Sequence, residues 1–336
     1  MKSYFCHPDE GLPLLKLPST DDGQPIWIGA PIYGPPRIDD FSESLVAPLR
    51  HHLFLDLNLL AHVRQGKNRT NIAQLINIAA NEHWQIEIFF AAVELHRTHA
   101  KPLLPLEESA RALWTDYRVH VYGDLRKFSS NILKTIDDRK NEIQLLADFC
   151  IVIKHFYRQK WELRRKIREF SDLISRKLPC LTTGYLLGCL LFYVKENRNL
   201  FPDFVSKIQS DMSFSGNLKK DKTNALNLAS DLSYFTTSTL AFNSMWPDDF
   251  HLIRIASSDA LMGLILSEMC YGTIHIVNGI PNGAPAFRKH SIADNNLKEI
   301  TKEFMPQPQG PYGVRYGIND ERRRNLARAA EEFLKQ

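Results

Sequence analysis

Apolar residues along this chain form short continuous runs in some regions and recur at helical spacing in others, which is typical of an α/β protein. The clearest run reads Leu-Phe-Leu-Asp-Leu-Asn-Leu-Leu over residues 53–60 and predicts a buried strand over 52–57 that ends near Asp56. Similar runs predict strands over 250–256 and 273–277. Apolar residues recur every three or four positions from about Thr70, which predicts a helix that follows the first strand.

The middle of the chain, from about residue 101 to 201, predicts mainly helices. The run over 181–194 is too short to cross a bilayer and predicts a buried helix. The longest predicted helix covers about 141–176. Its core face carries Phe149, Val152, Phe156, Leu163, Ile167, Phe170 and Ile174.

Composition limits the class of protein without identifying it. Of the 336 residues 44% are hydrophobic, and the formal net charge is only +4, so no strong overall field indicates a nucleic-acid partner. The five cysteines include no CxxC pair, which argues against a zinc site or a disulfide framework and favours a reducing cytoplasm. We see no secretory signal pattern and expect no membrane partner.

Four carboxylates lie in apolar surroundings, where a charged side chain is rare unless it is paired or binds a metal. Asp56 and Asp259 each end a predicted strand and open a predicted helix, whereas Glu94 and Asp231 lie inside predicted helices. The plainer interpretation is that the two strand-end aspartates are helix N-caps. Glu87 is the rival of Glu94.

Carboxylates that lie close together repel one another unless a cation neutralises them, and Mg²⁺ or Mn²⁺ accepts such oxygen ligands. Metal-bound carboxylate clusters hydrolyse phosphodiester bonds. We therefore expect Asp56, Glu94, Asp231 and Asp259 to be catalytic metal ligands. Asn58 and Ser257 would orient ligands or water as outer partners.

Two groups of cations are candidates for contact with nucleic acid. The polar loop over 64–69 carries Lys67 and Arg69, near Asp56 in the sequence. The polar face of the predicted long helix carries a second group, and a basic face with an aromatic side chain suits a phosphate backbone with a stacked base. The bland alternative for both groups is solvated surface. The residues of the second group are Lys154, Arg158, Trp161, Arg165 and Arg168.

The order of the acids resembles that of the PIN-like nuclease family. Asp56-Leu57-Asn58 is similar to the first family motif, and Phe90 to Leu95, with Glu94, is similar to the second. Ala229 to Leu232, with Asp231, is similar to the third, and Ser257-Ser258-Asp259-Ala260-Leu261 to the fourth. The resemblance implies a Rossmann-like α/β/α sandwich with a mostly parallel sheet, and Mg²⁺- or Mn²⁺-dependent cleavage of RNA, less often DNA.

The resemblance covers only about 46–103 and 222–280, and the gap between Glu94 and Asp231 is far longer than the family's compact core. Asp211 and Asp221 are fallbacks for Asp231. We expect five segments: an irregular N-terminal extension over 1–45, PIN-like core parts over 46–103 and 222–290, a helical insertion over 104–221, and a C-terminal extension with a terminal helix over 291–336. Within them we expect a polar linker over 202–222, a helix capped by Thr223 and irregular chain over 280–318.

Two other functions stay open at this point. A haloacid-dehalogenase-like phosphatase also places an aspartate after its first strand, but it wants a second aspartate where this chain has Asn58. A non-catalytic nucleic-acid-binding protein on a nuclease-like fold would keep the acids only as remnants or helix caps. Homo-oligomerisation, a regulatory protein partner, and a role as toxin, anti-phage effector or RNA processor are left open.

Overall fold

The structure is a computed structural model that describes residues 2–6, 14–32, 36–38, 45–46, 49–88, 91, 103–121, 125–245, 250–277, 280–306 and 320–336. Side chains are described for 14–32, 50–88, 91, 104–121, 141–235, 251–272, 285–306 and 320–336. The chain divides into two compact units. The first comprises Met1–Lys140 and Tyr234–Ala284, and the second comprises Asn141–Ser233 and Pro285–Gln336.

The strands form two sheets. In chain order they are β1 Lys2–Cys6, β2 Leu15–Leu17, β3 Ile26–Gly29, β4 Pro36–Ile38, β5 Leu45–Val46, β6 Leu49–Leu55, β7 Gln85–Glu87, β8 Phe250–Ser257, β9 Met269–Val277 and β10 Ile280–Phe287.

The α-helices connect and follow these strands. They are α1 Leu57–Gln65, α2 Arg69–Asn81, α3 Leu103–Tyr117, α4 Leu125–Arg158, α5 Leu163–Arg176, α6 Thr182–Glu196, α7 Val205–Met212, α8 Leu218–Met245, α9 Ala260–Glu268, α10 Ile292–Glu303 and α11 Asp320–Leu334, with a 3₁₀ turn at Arg198–Leu200.

The central sheet of the first unit has the strand order β2-β3-β8-β6-β7. Strand β6 runs parallel to both β8 and β7, whereas β3 is antiparallel to β8 and to β2. The protein is therefore an α/β protein, as the sequence predicts. Its central sheet is mixed, with three parallel strands rather than a mostly parallel set.

The strand predicted over 273–277 exists within β9, but the expectation that it joins the central sheet is wrong. It belongs to a second sheet of order β10-β9-β1-β4-β5, where it is antiparallel to β1. Helix α9 has nine residues and leads directly into β9 without a loop. A parallel return to the same sheet needs a crossover of a dozen or more residues, so β9 leaves the sheet of β8 instead.

Three stretches expected to be irregular contain regular structure. Residues 2–46 contribute five strands, and β3 is an interior strand of the central sheet because it pairs with both β2 and β8. The expected linker over 202–222 contains α7 and the start of α8. Thr223 is therefore not an N-cap but lies inside α8, where its Oγ1 donates to the Lys219 carbonyl at 2.9 Å. Residues 280–306 contain β10 and α10.

The second unit is built from helices around an aromatic core. The single long helix predicted over 141–176 is wrong, because α4 ends at Arg158 and α5 begins at Leu163. Glu162 has extended backbone, with φ −61° and ψ 156°, which breaks the helix without a Gly or Pro. The predicted core face is nevertheless buried across the break, apart from the half-buried Leu163.

The apolar run over 181–194 lies in the buried helix α6, as predicted. Among the described residues, no helix is both long and apolar enough to cross a membrane.

Candidate functional site

Asp56 lies at the end of a buried strand of the central sheet. Leu53, Phe54 and Leu55 are at most 2% exposed, and the Asp56 backbone N–H still donates to the Ala256 carbonyl at 3.1 Å. The buried hydroxyl of Tyr234 donates to the Leu55 carbonyl at 3.2 Å. Strand pairing and this hydrogen bond therefore fix the backbone that carries the half-buried Asp56 side chain.

Asp56 and Asp259 are both helix N-caps, as the plainer interpretation of the sequence predicts. Asp56 Oδ1 accepts a hydrogen bond from the Leu59 N–H at 2.7 Å at the start of α1. Asp259 Oδ1 accepts from the Leu261 and Met262 N–H groups at 2.8 and 3.4 Å at the start of α9. In each carboxylate, Oδ1 therefore caps a helix, which holds the side chain in a fixed orientation.

Ser257 links the two aspartates. This residue ends β8 and is fully buried. Its hydroxyl donates to Asp56 Oδ2, and its Oγ accepts from the Asp259 backbone N–H at 2.9 Å. Asp56 and Asp259 therefore lie at the same edge of the central sheet, where the parallel strands β6 and β8 end. We call this place, with Ser257, the Asp56–Asp259 edge.

Neither of the other two predicted acids belongs to the described part of the first unit. Glu94 lies outside the described residues, and Asp231 belongs to the second unit. The two fallbacks for Asp231 have structural partners in that same unit: Asp211 pairs with Lys207 at 3.2 Å, and Asp221 accepts from the Ser215 N–H at 2.8 Å. Within the described part of the chain, no three His, Cys, Asp or Glu side chains come together as a metal site.

Asn58 and Ser257 were predicted to orient ligands or water. Ser257 does contact Asp56, a candidate metal ligand, but Asn58 is not placed as expected. The sequence argument put Asn58 on a continuing strand, on the side of Asp56. The strand ends at Leu55, so Asn58 lies in the first turn of α1 with its side chain exposed.

Three buried polar side chains on the central sheet were missed as a group. His52 Nδ1 lies 3.3 Å from Glu87 Oε1, and His52 Nε2 lies 2.8 Å from His251 Nδ1, all on neighbouring parallel strands. Glu87, the rival of Glu94, is therefore bound to a histidine. The sequence does show one histidine inside each of two apolar strands. It does not show that these histidines contact each other, because that depends on which strands are neighbours.

Lys154 was expected to be an exposed nucleic-acid contact, and this is wrong. Its side chain is 0% exposed, and its Nζ lies 5.2 Å from the centre of the Phe214 ring. Phe214 comes from the loop after α7, so the chain that buries Lys154 is distant in sequence. Arg158, Arg165 and Arg168 are exposed and Trp161 is half-exposed.

The loop over 64–69 has a structural frame and two exposed cations. Gly66 adopts a left-handed conformation, with φ 65°, that ends α1. The buried Asn68, with φ 52°, donates through Nδ2 to the Gln24 carbonyl at 2.9 Å. Lys67 and Arg69 remain exposed beside this frame, so both are accessible to a ligand.

The oxygen donors at the Asp56–Asp259 edge suit a hard divalent cation. Two carboxylates and one hydroxyl are the ligand types that Mg²⁺ and Mn²⁺ accept in proteins, usually alongside several waters. Two carboxylates with water in the remaining positions make a sufficient set for Mg²⁺, which is often bound through one or two carboxylates.

Comparison with known proteins returns no match: no family model fits the chain, and no curated protein or solved structure is significantly similar to it.

Proposed function

We propose that the protein is a metal-dependent nuclease that hydrolyses phosphodiester bonds at the Asp56–Asp259 edge, within a Rossmann-like, PIN-like core. One observation carries the proposal. The acids of the first and fourth family-like motifs follow the ends of two adjacent parallel strands, and both residues contact the Ser257 hydroxyl. Asp56 Oδ2 accepts a hydrogen bond from this hydroxyl, and the Asp259 backbone N–H donates to its oxygen. Ligands of open α/β sheets bind beyond such strand ends.

Asp56 and Asp259 would hold the Mg²⁺ or Mn²⁺ ion, and the family resemblance adds Glu94 and Asp231 to the expected ligand set. A bound ion would supply a water of lowered pKa and would balance negative charge on the phosphate. No side-chain nucleophile is required. Asn58 would contribute only through water, since it lies in the first turn of α1.

In this chemistry, the chain's own residues hold and orient the carboxylate of Asp56. The hydroxyl of Ser257 fixes one oxygen of Asp56, and the Leu59 N–H fixes the other. Because α1 and α9 both begin at this edge, their N-terminal dipoles favour an anion such as a phosphate there.

The proposed substrate is a nucleic acid, with RNA preferred to DNA, and the proposed location is the cytoplasm. Lys67 and Arg69, exposed just after α1, would contact the phosphate backbone. Arg158, Trp161, Arg165 and Arg168 of the second unit would add a separate contact surface.

The test is cleavage of single-stranded RNA and DNA by the full chain in Mg²⁺ or Mn²⁺, with and without a chelator. Asp56→Asn and Asp259→Asn each keep a good N-cap but remove the charge. We expect each to reduce the cleavage rate by at least about 10²-fold, the scale on which one transition-state charge contact acts, and we expect the chelator to abolish cleavage.

Asp22→Asn is the matched control, because Asp22 is an aspartate of the first unit that also accepts a backbone hydrogen bond, from the Thr70 N–H at 3.0 Å. Its cleavage rate should equal that of the native protein. Cleavage that persists in chelator and in Asp56→Asn would contradict the proposal.

A second candidate function is supported by the capping role of both aspartates: a non-catalytic nucleic-acid-binding protein. In that case the protein would bind RNA, neither Asp56→Asn nor Asp259→Asn would change the affinity, and no divalent cation would produce cleavage.

A further inference from the structure

The break between α4 and α5 opens a cavity of about 480 Å³ in the second unit. This volume lies within the range of small-molecule pockets, about 300–1,000 Å³. His155 and Arg158 line it from the last turn of α4, Gln159, Lys160 and Trp161 from the break, and Gln336 from the end of the chain. The lining therefore combines two cations with aromatic rings.

The cations at this cavity, and Arg165 beside it, differ in their ion pairing from two other arginines of α5. Arg164 lies 2.6 Å from Glu303, and Arg176 lies 3.8 Å from Asp172. Arg158, Lys160 and Arg165 are exposed, and the described residues offer none of them a carboxylate within 4.0 Å. Three positive charges without a described carboxylate within 4.0 Å favour an anionic ligand.

Two of these cations already lie against aromatic rings, which positions them. The Arg165 guanidinium lies 5.0 Å from the centre of the Trp161 ring, and the Arg158 guanidinium lies 5.0 Å from the centre of the Phe214 ring. Trp161 is half-exposed, and its edge-to-face contact with Phe156, at 6.1 Å between centroids, supports the ring from the core side. A supported, partly exposed indole offers a stacking surface for a planar ligand.

The lining also includes the aromatic ring of His155. His155 stacks on Phe333 with ring centroids 3.8 Å apart and an angle of 9° between the planes. Burial, together with the positive charge of Arg158, lowers the pKa of His155 below its ordinary value. This shift disfavours the charged imidazolium form of His155, and the positive charge of the cavity is supplied by Arg158, Lys160 and the neighbouring Arg165.

We propose that this cavity binds a nucleotide, with the base stacked on Trp161 and the phosphate held by Arg158, Lys160 and Arg165. The ligand chemistry is the same whether the source is a free nucleotide or one unpaired nucleotide of a single strand. For a single strand, this site deepens the proposed function, which already assigns Arg158, Trp161 and Arg165 to a nucleic-acid contact surface. Its test is separate from cleavage, because binding here involves neither a divalent cation nor the Asp56–Asp259 edge.

The experiment measures binding to the full-length protein in the absence of divalent cations, so that cleavage has no part in it. The probes are inorganic phosphate, adenosine, AMP and a short single-stranded oligonucleotide. We expect AMP to bind at least about tenfold more tightly than phosphate or adenosine, because base and phosphate contacts act together; tenfold corresponds to about 1.4 kcal/mol. Phosphate or adenosine that binds as tightly as AMP would overturn the proposal, as would an absence of AMP and oligonucleotide binding.

Variants separate stacking from charge. Trp161→Ala should weaken AMP binding by about tenfold, and Trp161→Phe, which keeps a ring, should weaken it less. Arg158→Ala, Lys160→Ala and Arg165→Ala combined should weaken AMP binding by at least about tenfold. The charge-matched control combines Arg164→Ala, Arg176→Ala and Lys298→Ala, three exposed cations of the same unit that are paired with carboxylates, and it should leave the affinity within about twofold.

Equal losses in the two triple variants would overturn the proposal, because the effect would then follow net charge alone. An unchanged affinity for AMP in Trp161→Ala would overturn the stacking contact. If that variant does not fold, native affinity for AMP in both Trp161→Phe and the first triple variant would overturn the proposal. The oligonucleotide arm identifies the source. Binding tighter than AMP indicates a single strand, equal binding indicates a free nucleotide, and both results support the site.

Discussion

Lys154 places an ammonium group inside the core of the second unit. Its side chain is 0% exposed, and among the described residues its Nζ has no hydrogen-bond partner. Burial lowers the pKa of Lys154 from its ordinary value, although the negative charges of Asp221 and Asp211 act in the opposite direction. A buried charge without a hydrogen bond destabilises the folded state.

Lys154→Met should therefore stabilise the protein, by about 1–4 kcal/mol, the range reported when buried ionic groups are replaced by apolar ones. Because the pKa is lower in the folded state, the unfolded chain holds the proton more tightly. The penalty of Lys154 is therefore complete below the folded pKa, and it declines as pH rises toward 10.5. The gain in the variant should therefore be larger at neutral pH than at alkaline pH, as measured by denaturant unfolding.

Arg158→Met is the control for this effect, since Arg158 lies over the same Phe214 ring but is exposed. Its free energy of unfolding should change by less than about 0.5 kcal/mol. Similar gains in both variants would contradict the explanation by burial.

At the scale of single residues, the sequence predicts strand-end positions well and burial of polar residues poorly. The sequence shows that Asp56 and Asp259 each lie within three residues of the end of an apolar run, which is why both could be predicted. The burial of Lys154 depends on Phe214, and the contact between His52 and Glu87 depends on strand pairing, so neither is visible in a local pattern.

At the scale of elements, the position of Asp259 depends on how closely α9 packs on the central sheet. A Cβ atom added at Gly263 would lie 2.5 Å from the indole of Trp27 on β3. Trp27 is 3% exposed and cannot move aside into solvent. Gly263 therefore permits the close approach that carries Asp259, at the start of α9, to the end of β8.

Gly263→Ala should destabilise the protein by about 1 kcal/mol, and by at most about 2 kcal/mol, in a denaturant titration. The overpacking cost of about 1–3 kcal/mol exceeds the gain in helix propensity of about 1 kcal/mol. Gly272→Ala is the matched control, because an added Cβ there meets no described atom within 4 Å. A Gly263→Ala variant as stable as that control would show that α9 packs less closely than the structure indicates.

The break between α4 and α5 shows what a hydrophobic period leaves undetermined. Phe156 and Leu163 are seven residues apart, two helical turns, so the apolar pattern continues across the break as if one helix were present. The backbone nevertheless becomes extended at Glu162. Periodicity predicts which side chains are buried, but the backbone path between them is decided by tertiary packing.

At the scale of the whole molecule, the α/β class and the parallel pairing of β6 with β8 follow from the sequence. The assignment of strands to sheets does not. Strands β1 to β5 are at most five residues long and lie in a segment rich in Pro and Gly, so they give little local signal. The pairing of β9 with β1 depends on that segment, because β1 can pair with β9 only after the N-terminal chain folds back.

The most direct test of the Asp56–Asp259 edge is a calorimetric titration of the full-length, metal-free protein with Mn²⁺, without nucleic acid. The native protein and Asp22→Asn should show the same saturable binding. Asp56→Asn and Asp259→Asn should each lose it or weaken it by at least about tenfold, since each removes one charged oxygen ligand while keeping the helix cap. No saturable Mn²⁺ binding by the native protein, or equal binding by all four proteins, would contradict a metal site at this edge.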